Sequence, residues 1–186
     1  RALTDINMVI KLDPKDAVAF NNRGAVYRKK GNYDRVIADL NQTIKLDPKD
    51  IVAYNKRGRA YDNMEDHDRA IADYSEAIRI NAGYVIALNN RGFAYDNKGD
   101  RDRAIADYSE AIRIKPNYAT AYNNRGFAYW NQGSHDNAIA DFEQAIKLDP
   151  KFAAAYANRG TTYYDKRDYN RAIADFDQAI KFNPNS

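Results

Sequence analysis

Glycine returns in this chain every 34 residues, at Gly24, Gly58, Gly92, Gly126 and Gly160. Tyr27, Tyr61, Tyr95, Tyr129 and Tyr163 each follow a glycine by three residues. Proline keeps the same step at Pro14, Pro48, Pro116, Pro150 and Pro184, with Ala82 in the single slot that breaks the series. An opening of 16 residues and five blocks of 34 account for all 186 residues. A block this short cannot enclose a core alone, so a fixed period predicts an array in which each unit buries its apolar face against its neighbours. The expected organisation is one array. Residues 1–16 form a half-repeat carrying only a second helix, followed by full repeats at 17–50, 51–84, 85–118, 119–152 and 153–186. The chain opens on Arg1 rather than Met, which reads as a piece of a longer polypeptide.

Within a block the apolar spacing is helical. In 85–118, Leu88, Gly92 and Tyr95 fall on one stripe, and Ala104, Tyr108, Ala111 and Ile112 on another. The turn Asn97-Lys98-Gly99-Asp100 separates them. Glycine there supplies a left-handed residue to end the first helix. Asp100 suits the N-cap of the second, as do Asn32, Asp66, Ser134 and Asp168 in the other blocks. Proline stops the second helix, as in Leu46-Asp47-Pro48. Each block therefore reads as two antiparallel helices, and the fold class as all-α.

Composition narrows the function. With no Cys, disulfide scaffolds and thiolate chemistry are excluded. A net charge of +3 lacks the basic excess of a nucleic-acid or anionic-membrane surface. No apolar run approaches the roughly 20 residues of a membrane helix. The two histidines, His67 and His135, share one repeat position in the turn before the second helix and read as packing or turn residues. No phosphate-cradling loop, metal motif or nucleophile–base pair is present, so the chain reads as a non-enzyme with no cofactor.

The blocks resemble the tetratricopeptide repeat. The fourth carries its pattern of large, glycine, aromatic, small, aromatic, alanine and proline positions as Tyr122, Gly126, Tyr129, Ala138, Phe142, Ala145 and Pro150. The resemblance spans all 186 residues and implies a right-handed α-solenoid of antiparallel helix pairs, a superhelix whose first helices line the concave face. Some positions depart from the pattern. Val36 stands for the small residue expected opposite Gly24, and Thr43 for the next alanine, so the first repeat is expected to pack more loosely or with a shift. Glu65 and Arg167 replace the turn glycine, so those turns are expected to differ.

Arg23, Arg57, Arg91, Arg125 and Arg159 form one row, and Asp39, Asp73, Asp107, Asp141 and Asp175 another. Matched opposite charges at fixed positions read as ion pairs between helices, within or across repeats, in preference to an anion-binding site. The tyrosines read first as core.

The resemblance implies groove-facing residues one turn either side of the glycine. The first is an amide row, Asn22, Asn90, Asn124 and Asn158 with Lys56 interrupting, similar to the asparagine ladder of the O-GlcNAc transferase repeat domain. Carboxamides offer a donor and an acceptor to a peptide backbone. A second set, Asn21, Asn55, Asn89 and Asn123, points about 100° away and reads as less suited to it. The groove also grades along its length. It is basic at Arg28, Lys29, Lys56 and Arg59, acidic at Asp62 and Asp96, and aromatic at Phe93, Phe127, Trp130 and Tyr164. Exposed aromatics in a concavity mark an anchor site. A carboxylate clamp for chaperone tails is not expected, because Asn21, Ile86 and Asn90 occupy its cationic slots.

The leading expectation is a protein-interaction scaffold that takes an extended segment of a partner protein or peptide, with no nucleic acid and no membrane as partner. The alternative is end-to-end self-association through terminal helices, using Ala2, Ile6 and Val9 at one end and Phe176, Ala179, Ile180 and Phe182 at the other.

Overall fold

The computed structural model describes residues 2–183, so Pro184 lies outside the described residues. It contains eleven α-helices and no strand among the described residues: α1 (Ala2–Leu12), α2 (Ala17–Lys29), α3 (Tyr33–Leu46), α4 (Ile51–Asp62), α5 (His67–Ile80), α6 (Val85–Asn97), α7 (Arg101–Ile114), α8 (Ala119–Asn131), α9 (His135–Leu148), α10 (Ala153–Asp165) and α11 (Tyr169–Phe182). They form two compact units, residues 1–94 and 95–186. The fold class is the expected all-α solenoid of antiparallel helix pairs. In the first unit α2 pairs with α3 and α4 with α5; in the second α8 pairs with α9 and α10 with α11. The pairs are antiparallel because partners run in opposite order: Ala17 meets Thr43, Gly24 meets Asp39, and Tyr27 meets Arg35.

The core is built from rings set over glycines. A methyl group placed on Gly58 would fall 2.7 Å from Cε1 of Tyr74, on Gly126 2.8 Å from Cε1 of Phe142, and on Gly160 2.9 Å from Cε1 of Phe176. Only hydrogen fits at these crossings. The same rings face the next repeat's small residues. Tyr74 clusters with Ala87 and Ala94, and Tyr108 with Ala128. Tyr74, Tyr108 and Phe142 are thereby almost wholly removed from water. One ring locks its own helix pair and supports the pair that follows.

The first repeat departs from this. Its residue in the ring column is Leu40, and the nearest atom to a methyl group on Gly24 would be Cβ of Asp39 at 3.6 Å, with Leu40 Cγ at 4.0 Å. Val36, Leu40 and Thr43 are themselves buried; what distinguishes this crossing is room for a methyl group on Gly24, and Leu40 in the ring column accounts for it.

The turns keep one conformation throughout. Gly31, Gly99 and Gly133 take φ of 69°, 81° and 78°. Glu65 and Arg167 do not change the turn as expected, since they adopt the same left-handed backbone at φ 59° and 62°. The repeat packing imposes that conformation on side chains that disfavour it by about 1–2 kcal/mol. Asn32, Asp66, Asp100 and Asp168 then cap the second helices, each accepting from the backbone N–H of the residue three positions on. Ser134 holds the cap position of α9 without a side-chain cap bond. No described helix is long and apolar enough to cross a membrane.

These contacts predict opposite outcomes for one substitution at two equivalent positions. Gly58→Ala is expected to destabilise by about 1–3 kcal/mol, because the new methyl drives into the buried Tyr74 ring. Gly24→Ala is expected to be neutral or to stabilise by up to about 1 kcal/mol, the helix-propensity gain. Urea unfolding of both variants measures the difference.

Candidate peptide-binding face

The arginine row fixes the first helices to the second. Arg57 donates from Nε to Asp73 Oδ2 at 2.8 Å and from Nη2 to Asp73 Oδ1 at 2.6 Å. Arg125 repeats this fork on Asp141 at 2.7 and 2.8 Å, and Arg159 on Asp175 at 2.8 and 2.7 Å. Arg23 holds Asp39 in the same way, with Nη2 2.6 Å from Oδ1. The hydrogen bonds to Asp73, Asp141 and Asp175 raise the guanidinium pKa values of Arg57, Arg125 and Arg159, so these arginines stay charged at any working pH. A further nitrogen reaches back to the preceding second helix. Nη1 donates from Arg23 to Asn7 (2.8 Å), from Arg57 to Asn41 (2.6 Å), from Arg91 to Ser75 (3.1 Å) and from Arg125 to Ser109 (3.0 Å). The row therefore pairs both within and across repeats, and it is part of the frame.

With that frame set, the positions around each glycine divide into braces and open surface. The two amide sets bond to each other from one repeat to the next. Lys56 Nζ donates to Asn21 Oδ1 at 2.7 Å, Asn90 Nδ2 to Asn55 Oδ1 at 2.9 Å, and Asn158 Nδ2 to Asn123 Oδ1 at 3.0 Å. Asn55, Asn89 and Asn123 are buried, Asn90, Asn124 and Asn158 half-buried, and Asn22 exposed. A buried carboxamide needs a partner, and the neighbouring repeat supplies it.

In the first unit, Asn21, Gly24, Ala25 and Arg28 of α2, Val36 and Leu40 of α3, and Lys56 and Arg59 of α4 line a cavity of about 210 Å³. Lys56 and Arg59 are thus brought together. Asn22 is not among the lining residues, and Phe93 stands exposed on α6. Asp62 leaves the graded surface expected for it. Its oxygens accept from Tyr74 Oη at 2.6 Å and sit 3.0 Å from His67 Nδ1, between α4 and α5. Burial, followed by the bond to Asp62, pushes the Tyr74 hydroxyl far above its usual pKa. The physical reason is readable in the columns. A hydroxyl on the buried ring needs a partner, and Asp62 and Asp96 occur in the repeats with Tyr74 and Tyr108. Where the ring is Phe142 or Phe176, the same column holds Trp130 or Tyr164. Asp96 is half-buried, burial raises its carboxyl pKa, and its near charge is Arg101 at 3.9 Å.

In the second unit, Phe127 and Trp130 lie with ring centroids 5.5 Å apart, and Phe127 is 40% exposed. Trp130 Nε1 donates to Asp165 Oδ2 at 2.7 Å, which fixes the indole on the next repeat. Tyr164 does not join this pair. It is exposed and makes an edge contact with Tyr169 at 5.6 Å, across the turn into α11. Of the terminal apolar residues, Ala2, Val9 and Ile180 are exposed. Ile6, Phe176 and Phe182 are half-covered and Ala179 is buried, with the Phe182 ring 5.8 Å from Tyr156.

The Arg–Asp frame yields a stability test. Arg57→Met leaves Asp73 as a buried carboxylate without its fork and is expected to destabilise by about 3 kcal/mol. The double variant Arg57→Met/Asp73→Leu is expected to recover most of that loss. Denaturant unfolding of the three proteins checks the pair.

The tetratricopeptide repeat family model matches residues 17–50, 51–84, 119–152 and 153–186, and a TPR repeat model matches residues 97–133. No curated protein sequence matches the chain. Among solved structures, MamA is similar at 28% identity and a TM-score of 0.75, covering 86% of this chain and 93% of that one. YrrB, a TPR protein with an unusual peptide-binding site, is similar at 23% identity and a TM-score of 0.70, over 97% of this chain and 93% of that one. A pilF structure from Pseudomonas aeruginosa reaches a TM-score of 0.81 at 18% identity, over 91% and 78%. The last two show likeness of fold alone. The chain belongs to the tetratricopeptide-repeat family, whose members mediate protein–protein interaction.

Proposed function

We propose that the chain is a binding scaffold, without catalytic activity, that holds an extended segment of a partner protein on the surface formed by its first helices. The observation that carries this reading is the Phe127–Trp130 pair. Two large apolar rings stand partly open to solvent, and the Trp130 indole is held in place by Asp165. Aromatic anchors that are rigid before binding lose little entropy when they dock. The amides extend the reading in each unit. Asn90 and Asn158 use Nδ2 within the array, and their Oδ1 atoms are suited to accept a backbone N–H from a bound segment. Lys56 and Arg59 would attract acidic side chains in the first unit. Asn22, Phe93, Asn124 and Tyr164 complete the proposed contact set.

A second reading rests on α11, where Ile173 and Ile180 are each 60% exposed. Their apolar face supports self-association. Sedimentation velocity over a concentration range separates the readings, since a concentration-independent monomer eliminates self-association.

Trp130 is the only tryptophan, so its fluorescence reports on the proposed site directly. Titration with a library of extended peptides is expected to shift the Trp130 emission for a subset of them. Phe127→Ala should weaken those ligands about tenfold, as for loss of an interface anchor, with the helical circular dichroism unchanged. Unaltered affinity in Phe127→Ala for every ligand would remove the proposal.

A further inference from the structure

The cavity in the first unit exists because two columns of the repeat change together. Leu40 occupies the ring column held elsewhere by Tyr74, Tyr108, Phe142 and Phe176. Ala25 occupies the column held elsewhere by Arg59, Phe93, Phe127 and Thr161. The result is a space of about 210 Å³ between α2 and α4, floored by Val36 and Leu40 of α3. It is smaller than the roughly 300–1,000 Å³ of pockets that enclose a whole small molecule, and suits a single large side chain.

The rim has one sign of charge. Arg28, Lys56 and Arg59 all line the space, and no carboxylate does. Lys56 bonds to the neutral Asn21, and among the described residues neither Arg28 nor Arg59 forms an ion pair. The arginines of the frame and of the helix caps, by contrast, are held by carboxylates, as with Arg57 on Asp73 and Arg69 on Asp66. Three cations around an apolar hollow call for an occupant that is apolar at its centre and negative at its edges.

We propose that this cavity is a specificity pocket that takes one aromatic side chain from an acidic segment of a partner protein. The ring enters the hollow over Gly24, beside Leu40, where the other repeats carry a ring of their own. The flanking carboxylates meet Arg28, Lys56 and Arg59. This inference rests on the reading of the chain as a peptide-binding scaffold and gives the partner's chemistry at one end of it.

The test uses the whole chain and fluorescein-labelled synthetic peptides, with affinity read by fluorescence anisotropy. One peptide has a central Phe flanked by Glu, a second has Ala at the centre, and a third has Lys in place of Glu. The Phe–Glu peptide is expected to bind, more weakly as salt rises, and the other two to bind about tenfold more weakly or not at all. Leu40→Phe fills the hollow from below and Ala25→Leu from the side. Each should abolish binding of the Phe–Glu peptide without lowering the melting temperature, and Arg28→Glu/Arg59→Glu should abolish it through charge. The pocket is overturned if wild type fails to bind the Phe–Glu peptide, if the Ala peptide binds equally well, or if both filling variants retain full affinity. Loss of that binding in Phe127→Ala with full affinity in both Leu40→Phe and Ala25→Leu overturns the pocket while leaving the broader scaffold reading intact. Loss in Leu40→Phe with no effect of Phe127→Ala upholds the pocket, and the aromatic anchor of the second unit is then judged by the peptide-library titration.

Discussion

Everything in this molecule follows from an aromatic ring lying on a glycine. The crossing of each regular helix pair is so close that a methyl on Gly58 would stand 2.7 Å from the Tyr74 ring. That closeness lets the far side of the ring reach Ala87 and Ala94 of the following repeat. A single side chain thereby sets the spacing inside a pair and the seat of the next pair. Interiors packed at this density do not deform gradually. The turn must comply, which is why Glu65 and Arg167 are held in a backbone conformation better suited to glycine.

Polar groups finish what the rings begin. The guanidinium of Arg125 grips Asp141 with two nitrogens and reaches Ser109 with a third, joining its own second helix to the previous one. Amide pairs such as Asn158 with Asn123 join successive first helices. Because each of these ties takes groups at defined repeat positions, the residues beside them are released for other use. Phe127 and Trp130 in the second unit, and the cationic rim of Arg28 and Arg59 in the first, stand at such positions.

The architecture was legible from periodicity because every repeat must solve the same packing problem with the same residues. Helix type, the turn at Gly99, the cap at Asp100 and the pairing of the arginine and aspartate rows all follow from spacing and elementary chemistry. The proposed contact surface was less legible, since it draws on positions where the columns break, and periodicity passes over such breaks. Leu40 is one such break, visible only when it is set against Tyr74 and Phe142. Asp62 was misplaced for a related reason. An aspartate on a first helix reads as surface until the hydroxyl of Tyr74 is seen to require it. The ladder row was legible only in part, because Asn90 and Asn158 each spend an N–H on the buried carboxamide of Asn55 or Asn123 in the preceding repeat.

The most direct measurement of this account is a double-mutant cycle on the ring and its glycine. Unfolding free energies are needed for wild type, Gly58→Ala, Tyr74→Leu and the double variant. If the ring on the glycine sets the crossing, Tyr74→Leu reproduces the situation of Leu40 over Gly24, and Gly58→Ala becomes harmless in that background. If the two losses simply add, the ring and the glycine act independently and the account is contradicted.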